Sequence, residues 1–146
     1  MSAAEISIRP FRMSDYDHAI ELWREGELPC RPQGRDSRER IEEEMKRGRS
    51  IFLVAELNGK VAGTILATHD GRKGWLNRLA VAEEFRRRGL ARRLVTEAER
   101  RLGAMGLDII AGLIEADNGV SMTVFERMGY ERSDVVYFSK RKNAGA

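Results

Sequence analysis

Apolar positions along this chain change their period several times, and each change marks an element. Ile6 and Ile8 alternate with polar neighbours, so Ile6 to Arg9 predicts a short half-buried strand. From about Asp15 to Gly26 the apolar residues recur at helical spacing, with Ser14 placed to cap the start and Pro29 and Pro32 to break the end. Leu28 to Gly34 reads as the most mobile loop, and a second helix follows, with Asp36 and Glu39 spaced as a capping box. Ile51 to Leu57 and Lys60 to His69 are apolar, β-branched runs either side of Asn58-Gly59, a strong hairpin signal because both turn positions need positive φ. Asp70 to Gly74 turns the chain again into Trp75 to Val81, giving three consecutive antiparallel strands.

The second half returns to helical spacing. Leu90, Leu94, Val95, Ala98 and Leu102 form one stripe on a helix that opens after Gly89 and ends at Gly103 or Gly106. Leu107 to Glu115 is a mainly apolar run, expected of a buried strand reached by a helical crossover and parallel to its neighbour. Asn118 to Met128 predicts an amphipathic helix with Val120, Val124, Phe125 and Met128 on one side and Gly129 at its end, and Val135 to Ser139 predicts a last strand. The order implies an α/β fold with a mixed, mainly antiparallel central sheet flanked by about four helices. Residues 1–140 read as one domain and 141–146 as a tail.

Composition narrows the function. At 146 residues and 42% hydrophobic, the chain can fill one core and leaves nothing for a second. No apolar stretch approaches the roughly 18 to 20 residues that cross a bilayer, and Met1 to Ile8 lacks a signal peptide's apolar core, so a cytoplasmic protein with no membrane partner is expected. The lone Cys30 excludes an internal disulfide framework and a cysteine-rich metal site, and no metal is expected. A net charge of +3 and a pI near 9.3 raise nucleic acid as a partner. Against it, 26 basic residues are mixed with 23 acidic ones, as in the pairs Glu42/Lys46 and Glu43/Arg47. Outside the tail, the basic residues cluster at Arg86 to Arg88 with Arg92 and Arg93 behind it.

That cluster sits where an apolar strand, Leu79-Ala80-Val81, empties into a charged loop that opens directly onto a helix at Gly89-Leu90-Ala91. Backbone N–H groups at a helix start lack intrahelical partners and, with the helix dipole, favour phosphate oxygens. The same run also fits a merely solvated Arg-Gly loop.

Arg86-x-x-Gly89-x-Ala91 matches the (Gln/Arg)-x-x-Gly-x-(Gly/Ala) signature of the GCN5-related N-acetyltransferase (GNAT) family, and Asn118 followed by Phe125-Glu126-Arg127-Met128-Gly129-Tyr130 resembles that family's Asn and (Tyr/Phe)-Glu-x-x-Gly-(Phe/Tyr). The chain is similar over nearly its whole length to the short, bacterial, stand-alone members. The resemblance implies an enzyme that transfers the acetyl group of acetyl-CoA to a primary amine, a peptide N-terminus, a lysine or a small amine, by direct attack in a ternary complex.

It also implies a site. The fourth and fifth strands diverge, with Leu79, Ala80 and Val81 along the pantetheine arm and the Leu79 N–H on the thioester carbonyl. Arg86, Arg87, Arg88, Gly89, Leu90, Ala91 and Arg92 then hold the pyrophosphate. Asn118 fixes the arm or an ordered water, or merely caps its helix, and Phe125 lies beside the sulfur. Three positions depart from the family's proton chemistry: Trp75 and Leu113 stand where relatives carry a glutamate base, and Phe125 where they carry a tyrosine acid. Glu115, Asp70 and His69 are the substitute bases to consider. A non-catalytic acyl-CoA-binding module and a basic nucleic-acid-binding protein remain the alternatives, and a homodimer stays open.

Overall fold

The computed structural model describes residues 5–146, so the first residues of Met1 to Ile8 lie outside the described part. Five strands form one sheet in the order β1 (Ile6–Pro10), β2 (Ile51–Leu57), β3 (Lys60–His69), β4 (Lys73–Val81) and β5 (Ile109–Gly112). The first three pairings are antiparallel and β4–β5 is parallel. Helices α1 (Tyr16–Glu25) and α2 (Arg38–Lys46) precede the β2–β3 hairpin, α3 (Leu90–Ala104) makes the crossover, and α4 (Gly119–Arg127) follows β5. Asn58 and Gly59 both have positive φ, 51° and 81°, as the tight hairpin requires.

Alternation along the strands gives the sheet two apolar faces. On one, the stripe Leu90, Leu94, Val95, Ala98 and Leu102 of α3 is buried against Leu53, Ile65 and Leu76. A Cβ added at Gly74 would come within 2.7 Å of Leu102, so this glycine is what lets α3 lie so close to β4. On the other, Tyr16, Ile20 and Trp23 of α1 with Ile41 of α2 cover Phe52, Val54, Leu66 and Ala80, and Phe11 stacks on Phe52 at 4.0 Å.

The structure corrects five expectations. Ser14 does not cap α1: Asp15 accepts the Arg12 N–H at 2.8 Å, and Arg9 grips both Asp15 oxygens at 2.8 Å, which holds that carboxyl below its ordinary range. Asp36 and Glu39 form no capping box, because the Asp36 carboxylate is taken by Arg78 from across the chain, and Ser37 accepts the Arg40 N–H instead. The Leu28 to Gly34 loop is tied down, its Pro29 carbonyl accepting from Arg78 and its Arg31 N–H donating to Asp36. The run Leu107 to Glu115 yields only the four residues of β5, at a sheet edge, with Ile109 and Leu113 each 53% exposed.

Val135 to Ser139 forms no strand, and Val135 and Phe138 are 82% and 88% exposed. The segment is anchored at both ends on opposite sides of the sheet. Tyr130 packs edge-on against Phe125 and donates to Glu99 of α3, while the Gly145 carbonyl accepts from Arg35 beside α2. Strand propensity acts only where a partner edge lies alongside, and the path between these anchors leaves the β5 edge unpaired.

Candidate active site

Strands β4 and β5 pair from Lys73↔Ile109 to Leu76↔Gly112 and no further, although β4 continues to Val81. Asn77 to Val81 therefore border a gap that opens toward the loop before α3. Phe125 closes its floor: the buried ring lies against Gly112, its Cζ 3.4 Å from where a Cβ would stand there.

The gap begins at a bulge. Thr64 faces Ala80 and Leu66 faces Asn77, so Ile65 alone opposes Arg78 and Leu79. The extra residue puts Arg78 at φ 54°, left-handed backbone that a non-glycine side chain seldom adopts and that needs support from its surroundings. The support is dense. The Arg78 carbonyl accepts from the Thr64 hydroxyl at 2.9 Å, and Thr64 accepts from the Trp23 indole at 3.0 Å. No peptide bond among the described residues is cis, so the Leu79 N–H points opposite to the Arg78 carbonyl, away from the Thr64 hydroxyl.

At the mouth of the gap lies the arginine loop. Arg86, Arg87, Arg88 and Gly89 are exposed, Arg87 and Gly89 have φ of 66° and 78°, and no side chain caps α3 at Gly89. The N–H groups of Leu90, Ala91 and Arg92 thus start the helix without intrahelical acceptors, and no atom comes within 4 Å of a Cβ built on Gly89. An uncapped 15-residue helix behind an open, two-fold left-handed loop fits a diphosphate. Arg86 reaches back to the Val81 carbonyl at 3.2 Å and Arg88 lies over Phe85, whereas Arg93 turns to the Ile6 carbonyl of β1.

Asn118 caps α4, its Oδ1 accepting the Ser121 N–H at 3.1 Å, which leaves the amide nitrogen free for a second partner. Of the substitute bases, Asp70 is committed to its own turn, accepting from the Arg72 and Lys73 N–H groups at 2.9 and 2.8 Å and held below its ordinary range by them. It is also remote: His69 and Asp70 meet β4 at its start, about 16 Å of extended strand from Leu79. Glu115 sits on the exposed loop between β5 and α4, at the gap's mouth.

The sequence reading gave Arg78 no role, took Asp36 only as a helix cap, and took Glu42-Glu43-Glu44 as a solvated face, which the burial of Glu44 corrects. Ile110 and Ile114 pack on the α3 face, so Ile109, Ala111 and Leu113 look the other way with Trp75, forming an open apolar strip on the opposite face of the sheet. Glu44 is half-buried on the inner side of α2, one helical turn from buried Ile41, and makes no hydrogen bond or ion pair among the described residues. Burial pushes its carboxyl above the ordinary range and neighbouring Asp36 adds to this, while Arg78 and Arg47 pull the other way. A clue existed, since Glu44 belongs to the run Glu42-Glu43-Glu44 of which the other two pair with solvent-side lysine or arginine positions.

Residues 16–130 match the model of the acetyltransferase (GNAT) family. Among solved structures, the fold is similar to the aminoglycoside N-acetyltransferase AAC(6')-Iy in complex with CoA, at TM-score 0.78 and 20% identity over 97% of this chain and 98% of that one. It is also similar to the PaiA N-acetyltransferase of Thermoplasma acidophilum in complex with coenzyme A, at TM-score 0.80 and 21% identity over 90% and 93% of the two chains. A third is glucosamine-6-phosphate N-acetyltransferase of Arabidopsis thaliana, at TM-score 0.75 and 20% identity over 95% and 99%.

Proposed function

The chain belongs to the acetyltransferase (GNAT) family, whose co-substrate is acetyl-CoA, and from that premise we propose that it acetylates a primary amine by direct attack in a ternary complex. The observation that carries this reading is the parting of β4 from β5 beside the bulge at Arg78 and Leu79. Acetyl-CoA supplies the activated acyl group. The chain's part is to hold the diphosphate on N–H groups from Arg87 to Arg92 with Arg86 and Arg88 at the rim. It runs the pantetheine arm along Leu79, Ala80 and Val81 between Phe125 and Asn118, and aims a fixed donor at the oxygen that becomes negative.

The acceptor must also lose a proton. An amine with a pKa near 10.4 is only about 0.04% neutral at pH 7, a handicap of roughly 4 to 5 kcal/mol for an enzyme without a base. Glu44, half-buried near the Arg78–Asp36 pair and without a hydrogen bond among the described residues, is the base we favour over Glu115. The acceptor then lies on the apolar strip of Trp75, Ile109 and Leu113, and that open surface suits a peptide N-terminus or a lysine better than an enclosed small amine.

Titration with acetyl-CoA, followed by an amine and peptide panel with thiol release as the signal, tests the whole reading. Binding with turnover is expected. Binding alone would make this an acyl-CoA-binding module, and no binding would return attention to nucleic acid. Phe125→Tyr gives a finer test: its hydroxyl would emerge where the strands part, and turnover should rise about tenfold over Phe125→Leu at equal CoA affinity. Equal turnover in the two variants would remove this position from proton transfer.

A further inference from the structure

Arg78 does two jobs at once. Its backbone sets the bulge, and its side chain reaches out of the sheet into the loop that joins α1 to α2. The guanidinium lies 4.7 Å over the Trp23 ring, donates to both Asp36 oxygens at 2.8 and 2.9 Å, and donates to the Pro29 carbonyl. Asp36 is 4% exposed, and it is fully engaged. It also accepts the Arg31 N–H at 2.7 Å, has the Arg35 guanidinium at 3.6 Å, and its own carbonyl accepts from the Tyr16 hydroxyl.

The Arg78–Asp36 pair, in which one guanidinium nitrogen serves both carboxylate oxygens, joins a loop to a strained strand residue beside the apolar contacts of Trp23, Ile41 and Leu66. Its distinctive consequence concerns the Arg78–Leu79 peptide. That unit is pinned on the carbonyl side by Thr64 and, through the Arg78 side chain, by Asp36. The plane of the peptide fixes where the Leu79 N–H points, so a shift of the loop is felt at the donor.

We infer that Asp36 and Arg78 are positioning residues that couple the loop joining α1 to α2, Leu28 to Asp36, to the orientation of the Leu79 N–H. This rests on the reading of Leu79 as the donor to the thioester carbonyl.

The test uses the intact protein, labelled with ¹⁵N, and compares the Leu79 amide resonance in complexes with CoA and with acetyl-CoA, in the unchanged protein, Asp36→Asn and Arg78→Met. The unchanged protein should show a Leu79 shift on going from CoA to acetyl-CoA. Both variants should lose that shift while the amides of Gly89 to Arg92 still respond to CoA, which also shows that each variant is folded. In the amine assay, kcat should fall about tenfold to a hundredfold in either variant with the KM for acetyl-CoA little changed, and the double variant should be no worse than the single ones. A Leu79 shift retained in Asp36→Asn would overturn the coupling alone. No shift in the unchanged protein, with CoA still bound, would overturn Leu79 as the donor and the coupling with it.

Discussion

Gly89→Asp should abolish the stabilisation that CoA confers and with it acetyl transfer. A ligand that binds only the folded state at a hundredfold excess over its dissociation constant contributes about 2.7 kcal/mol, which a thermal-shift titration detects readily. Two effects act together in the variant. The new carboxylate stands at an open position in front of the free N–H groups of α3, where it both fills the approach and repels a diphosphate. The φ of 78° adds a backbone cost that any side chain would incur. Gly89→Asn separates them, since asparagine tolerates left-handed backbone about as well as aspartate without its charge. Loss of the CoA shift in the Asp variant with partial retention in the Asn variant is the expected pattern. An unchanged shift in Gly89→Asp would remove this loop from the cofactor site.

Glu44→Gln should slow transfer about a hundredfold near neutral pH and change the shape of the pH profile. The base works only when ionised, and burial raises its carboxyl above the ordinary value. Transfer by the unchanged protein should therefore climb as pH rises through that elevated pKa and then level off. The Gln variant has no such group, so its rate should track the acceptor's own deprotonation and approach the parent's as pH nears that of the free amine. The substitution has a second signature in stability. A carboxyl whose folded pKa is raised binds a proton more readily folded than unfolded, so the parent gains stability as pH falls through the elevated pKa toward the unfolded value, and Glu44→Gln should not. Parallel pH profiles for the two proteins would pass the role to Glu115 or to water.

The elements of the fold were legible wherever the cause was local. Asn58-Gly59 dictates the hairpin, the stripe Leu90, Leu94, Val95, Ala98 and Leu102 dictates which side of α3 is buried, and both follow from a period or a φ that neighbouring residues impose. The arginine loop was legible for the same reason, because a strand, a glycine and a helix start in direct succession already contain the free N–H groups.

Tertiary structure decided the rest. No period marks Arg78 as the bulge residue, since a bulge exists only relative to the strand opposite it, and Asp36 read as a helix cap until Arg78 arrived from 42 residues away to occupy it. Leu107 to Glu115 looked buried because its residues are apolar, yet burial needs a covering layer, and at the edge of the sheet Ile109 and Leu113 have none. The Val135 to Ser139 segment has the residues of a strand and, tethered at Tyr130 and Gly145, no edge to pair with. Sequence by itself determined where a strand, a charged loop and a helix start follow one another and which helix faces turn inward. Only the folded chain decided which strand residue bulges and which unpaired carboxylate is half-buried, because both depend on partners that are distant along the chain.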